Sequence, residues 1–152
     1  MLFRSGCYVI AAGLDESLEA PPKTLSGSFI NLFHPELRLE RAVALTPGSR
    51  HFLLDLAKAP GAAASGGEKA GARVLASACK TFPATRDAKQ FRCAVEGIAG
   101  TPALVLLRVP AKPAAATLDG RALDLSKFDP AAGLLWLSFP NEARPRGLAV
   151  SF

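Results

Sequence analysis

Aromatic side chains with a polar edge are almost missing from this chain: among 152 residues there is one tyrosine, Tyr8, and one tryptophan, Trp136. Any surface that stacks a ligand on such rings has few candidates to draw on. Histidine is equally scarce, with only His34 and His51. His34 sits in a His-Pro turn and His51 opens a strand, and neither has a partner nearby in sequence for nucleophile–base chemistry. Three cysteines, Cys7, Cys79 and Cys93, show no Cys-x-x-Cys or Cys/His spacing that suggests a zinc site. The longest apolar runs, at 7–14 and 103–107, are too short to cross a bilayer. Arg4 and Gly6 interrupt the start of the chain, so it does not read as a signal peptide. The formal charge is +5, but the basic residues are scattered and even Arg144 and Arg146 are separated by Pro145. A nucleic-acid face needs clustered Lys and Arg, and this chain has none. No Gly-x-Ser-x-Gly elbow is present. The Gly-rich stretch from Gly61 to Lys69 lacks the Lys placement, leading strand and following helix of a phosphate-binding loop.

What is present is a globular composition, 49% hydrophobic and 20% charged, with much of the apolar share in alanine. The length favours a single domain spanning 1–152. Residues 59–72 are rich in Gly, Ala, Ser and Pro, carry little to bury, and read as a flexible loop. A domain boundary there is the weaker reading, since only four predicted strands precede it.

No segment of ten or more residues has helical period with caps. Short apolar runs punctuated by turn signals predict strands instead. They fall at 7–12, 24–33, 37–45 with an irregularity near Arg41-Ala42, 52–56, 74–81, 91–95 and 103–109. The last stretch, from Ala116 to Phe152, is the clearest. Asp119-Gly120 is a tight-turn signal. Phe128-Asp129-Pro130 leads into a second turn at Gly133. Leu134 to Phe139 is a continuous apolar run that suits a strand covered on both faces, and Pro140-Asn141 ends it. Leu148, Val150 and Phe152 then alternate with Ala149 and Ser151, placing three apolar side chains on one face. The predicted fold is all-β: an antiparallel β-sandwich of about nine or ten short strands, immunoglobulin-like or jelly-roll-like.

The carboxylates form two groups. Asp15, Glu16 and Glu19 lie in one connection; Asp119, Asp124 and Asp129 lie around the terminal hairpins. Glycosidase chemistry needs two carboxyls facing across a cleft, and loop carboxylates in a sandwich more often form turns. A structural Ca²⁺ held by these oxygens is the other use they could have. No metal ligands, cofactor or catalytic residues are assigned. Cys79 and Cys93 lie symmetrically about the loop at 83–89, where a hairpin would bring them close to cross-strand register. A disulfide and two buried free thiols are both open there. Tyr8 and Trp136 are the candidate ligand-binding residues, since sugar-binding surfaces stack pyranose faces on exposed rings. Their alternative role is core packing, which is also the reading of the nine phenylalanines.

The stretches RVLASACKTF, QFRCAVEGIAGTPALVLLRVP and ATLDGRALDLSKFDPAAGLLWLSFPNEARPRGLAVSF together resemble the C-terminal β-sandwich accessory domains of large bacterial glycoside hydrolases. The resemblance is best over 73–152 and rests on a grammar of turns and strands. It implies a non-catalytic accessory module of a carbohydrate-active enzyme, with carbohydrate binding as its role. The implied partners are a polysaccharide or the catalytic domain of a larger enzyme, with no nucleic acid and no membrane. The implied location is secreted or periplasmic, with the export signal outside this chain. The alternative is a structural or protein-interaction sandwich with no glycan affinity. A stand-alone hydrolase ranks last. Solvent exposure of Tyr8 or Trp136 beside polar groups separates the first two.

Overall fold

The computed structural model describes residues 1–14, 21–61, 71–82, 85–86 and 89–152. Among them are fifteen strands and no helix, so the chain is all-β. It divides into two compact units, Met1–Gly66 and Gly67–Phe152. The division falls inside the Gly- and Ala-rich stretch, where the sequence favours a loop within one domain. Five strands precede it rather than four, and every strand pairing stays within one unit. Most of the expected flexible loop, 62–70, lies outside the described residues. Its two ends do not fit that expectation, because Ala59 and Ala72 are fully buried.

The first unit is a single antiparallel sheet of β1 (Leu2–Ser5), β2 (Tyr8–Ala12), β3 (Lys23–Asn31), β4 (Leu39–Leu45) and β5 (Arg50–Asp55), in the order β1-β2-β5-β3-β4. β1 is absent from the sequence reading. Gly6-Cys7 is not a mere interruption: it is the two-residue turn of a hairpin in which Ser5 pairs with Tyr8. The irregularity expected near Arg41 is real but lies in the neighbouring strand. The register of β3 against β4 shifts between Ser26 and Phe29, which bends the sheet. Phe29 folds back over the backbone of Gly27, where a Cβ would stand 2.6 Å from the ring. The bend gathers Val9, Phe29, Val43 and Leu53 into one buried cluster, with Leu25 and Leu45 against it.

The second unit is a sandwich. One sheet holds β13 (Phe128–Asp129), β14 (Leu134–Pro140), β10 (Pro102–Arg108) and β6 (Arg73–Ser77), in that order. The other runs β12 (Arg121–Ala122), β11 (Ala115–Leu118), β15 (Arg146–Ser151), β9 (Gln90–Glu96) and β7 (Lys80–Thr81), with β8 (Thr85–Arg86) also paired to β9. Four of these strands are only two residues long, which accounts for most of the excess over the expected nine or ten. Alternate residues of each sheet point into one core. Val105, Leu107, Leu135 and Leu137 come from the first, and Phe91, Val95, Leu118, Leu148 and Val150 from the second. The run 74–81, read as one strand, is two: β6 ends at Ser77 in one sheet and β7 begins at Lys80 in the other. The Asp119-Gly120 signal is met in full. Both residues have positive φ, 50° and 79°, the pairing of a primed hairpin turn whose twist matches its strands.

β15 lies between β11 and β9. Leu148 and Val150 are fully buried, and Phe152 packs half-buried against the same core. Leu148→Ala is expected to lower stability by about 3 kcal/mol, and Phe152→Ala by less. Deleting 147–152 removes most of an interior strand and leaves two neighbours with unpaired backbone. That chain should show no cooperative unfolding of the second unit in a thermal melt.

Candidate functional site

In an antiparallel sheet, directly paired residues share a face, and so do residues two apart on one strand. Phe3 pairs with Ile10, and Ile10 pairs with Phe52. These three therefore form a row across β1, β2 and β5, on the face opposite Val9 and Leu53. Tyr8, two residues from Ile10, lies on the same face, with Ser5 as its partner on β1. The Tyr8 and Phe52 rings stack at 5.6 Å between centroids with 30° between planes. Phe33, in the turn after β3, tilts against Phe52 at 5.9 Å between centroids. Solvent reaches this group freely: Phe3 is 58% exposed, Tyr8 45%, Ile10 43% and Phe33 67%. Exposed large apolar groups scattered singly need no explanation, but a contiguous set does. Rings carried on paired strands are held in place by their neighbours, so the platform is built without a ligand.

Of the two residues singled out in the sequence, Tyr8 belongs to this platform. Trp136 does not. It lies in the second unit, half-buried on the face of β14 opposite Leu135 and Leu137. The sequence also reads every phenylalanine as core, and Phe3 and Phe33 are exposed instead. The missed signal was the first hairpin: once Leu2-Phe3-Arg4-Ser5 is a strand, its register puts Phe3 beside Ile10.

The carboxylates near the terminal hairpins are occupied by turns. Asp129 Oδ1 accepts from the Ala131 and Ala132 amides at 2.9 and 3.0 Å. Asp124 accepts from the amide and hydroxyl of Ser126. Asp119 accepts from the Gly147 amide at 2.8 Å and from Arg146 Nε at 2.9 Å. Asp15, Glu16 and Glu19 lie outside the described residues. Among the described residues, no group of three or more His, Cys, Asp and Glu is gathered to hold a metal ion. Arg146 is more than a turn charge. Its side chain is 10% exposed, against 64% for Arg144, and it also reaches Glu142 at 3.1 Å and the Pro140 carbonyl at 3.2 Å.

Cys79 and Cys93 are free, as is Cys7. They are not in cross-strand register. Lys80 pairs with Glu96, which leaves Cys79 beyond the end of that ladder, while Cys93 pairs with Leu148. Burial pushes the Cys93 thiol up to about 11, with the nearby Cys79 adding to the effect, so Cys93 is a poor nucleophile. His34 Nδ1 accepts from the Glu36 amide at 3.1 Å, within its turn. Both ring nitrogens of His51 are buried and find no hydrogen-bond partner among the described residues.

Comparison of the chain with family models, with curated proteins and with solved structures gives no match.

Two outcomes follow from these contacts. An unpaired buried polar group costs about 1–3 kcal/mol, so His51→Phe should raise the unfolding midpoint in urea. The hydrogen bond from Arg146, then that from Gly147, holds the Asp119 carboxyl below its ordinary 3.8. Its stabilising effect is therefore complete above that ordinary value and is lost as pH falls through the lower, folded one. Below about pH 4, Asp119→Asn should show a flatter decline in melting temperature than the parent chain.

Proposed function

We propose that this chain is a non-catalytic ligand-binding β-module, and that it holds a carbohydrate against the ring platform of its first unit. The observation that carries the reading is Tyr8, exposed and stacked on Phe52, against which Phe33 also tilts. A pyranose ring has an apolar face of C–H groups that pack on an aromatic plane, while its rim of hydroxyls needs polar neighbours. Tyr8 offers a plane with a hydroxyl at its edge, and Ser5 lies beside it on β1. The module reading extends to the setting implied by the family resemblance: an accessory part of a bacterial glycoside hydrolase that keeps the enzyme on its polysaccharide. The turn-bound state of Asp119, Asp124 and Asp129 favours a passive role for this part, since a glycosidase acid and its partner need to face a cleft.

Ile10 favours a second reading. It stands in the middle of the row and offers no ring face, so an apolar protein surface would also fit here. Affinity electrophoresis against a panel of neutral and acidic soluble polysaccharides separates the two. Retardation by at least one glycan is expected, weakened about tenfold or more by Tyr8→Ala and little changed by Trp136→Ala. Absence of retardation throughout, with Tyr8→Ala instead reducing self-association in sedimentation, would favour the protein-contact reading.

A further inference from the structure

Resting on that reading, we infer that the carbohydrate is acidic: a uronic-acid polysaccharide whose carboxylate is met by Arg50 at the end of the ring platform. Arg50 opens β5 and pairs with Ala12. It stands two residues from Phe52, on the same face and about 7 Å along the strand. That separation suits one sugar ring lying on the aromatic row with its carboxylate pointing along β5.

Arg50 is exposed and, among the described residues, uncommitted. The other three arginines of the first unit are each engaged. Arg4 meets Asp55 at 3.3 Å, Arg38 meets Glu36 at 2.9 Å, and Arg41 Nη1 lies 3.4 Å from Ser28 Oγ. Arg50 has no side-chain partner among the described residues. Nor do β1, β2 and β5 place an acid on this face: Asp55, the one carboxylate among them, follows the opposite parity and is taken by Arg4. Among the described residues, the face is thus apolar rings ending in a single guanidinium with no acid beside it. A guanidinium presents a planar fork that a carboxylate fits with two parallel hydrogen bonds. A neutral glycan would leave that fork to water. A nucleic acid also has flat groups and negative charge, but it repeats a phosphate at every step and is bound by runs of Lys and Arg. One available arginine beside four rings matches one carboxylate per bound ring better.

The test compares polygalacturonate with the same polymer after methyl esterification, which keeps the sugar and removes the charge. The full chain is titrated with each by calorimetry, with a dT oligonucleotide as a third probe. The acid form should bind about tenfold tighter than the ester, and its affinity should fall as salt rises. Arg50→Ala should bring the acid form down to the level of the ester, and Arg50→Lys should restore part of the difference. Unfolding midpoints of both variants, matched to the parent, would exclude misfolding. Equal affinity for acid and ester, untouched by Arg50→Ala, would overturn the inference and leave the carbohydrate reading standing. Binding of neither polymer would overturn it too, and the wider glycan panel would then decide the carbohydrate reading alone. Tighter binding of the oligonucleotide than of polygalacturonate would overturn it in favour of a nucleic-acid ligand.

Discussion

The inward rows of two sheets, Val105, Leu107 and Leu137 facing Cys93, Leu148 and Val150, form the contact on which the second unit depends. A sheet with one apolar face cannot remain alone in water, and each of these sheets covers the other. The rest of that unit follows from keeping the two in place. β6 leaves its sheet at Ser77 and the chain re-enters the opposite sheet at Lys80, so the two are tied at one corner. Tight turns at Asp119-Gly120 and Gly133 set the registers of the strands that follow. Arg146 and Asp119 then link β15 to the β11–β12 turn by a charged hydrogen bond.

The first unit meets the same constraint with one sheet. A bulge at Ser26 to Phe29 turns the sheet on itself, and the Phe29 ring lies over Gly27 because a glycine leaves room there. This gathers the apolar side chains of one face. It does nothing for Phe3, Tyr8 and Ile10 on the other face, which remain in water. Their exposure has a real cost, about 25 cal/mol for each Å² of apolar surface left uncovered. Rings, a hydroxyl and an exposed arginine therefore share a face whose exposure burial on the other side does not explain.

Several polar and titratable groups among the described residues serve the structure itself: Asp119, Asp124 and Asp129 accept from backbone amides, His34 accepts within its own turn, and Cys93 lies in the core.

Much of the second unit was legible in the sequence. Asp119-Gly120, Pro140-Asn141 and the alternation of Leu148, Val150 and Phe152 are local signals, and each works through backbone geometry or side-chain period within a few residues. The all-β character followed from the same signals. The platform was legible only at Tyr8. Phe3, Phe33 and Phe52 come from separate strands and turns, and only their pairing register brings them together. Local pattern also gave no warning that Arg146 is nearly buried while Arg144 is not, since both flank the same proline. The division into two units escaped for a related reason. Whether a Gly- and Ala-rich stretch lies within one domain or between two depends on which strands pair across it, and composition carries no record of pairing. Turns, strand periods and the inward face of β15 were thus determined by the sequence alone, through interactions between near neighbours. The ring platform, the placing of Arg50 at its end and the lack of cross-strand register between Cys79 and Cys93 were decided by tertiary structure, because each depends on register between residues far apart in the chain.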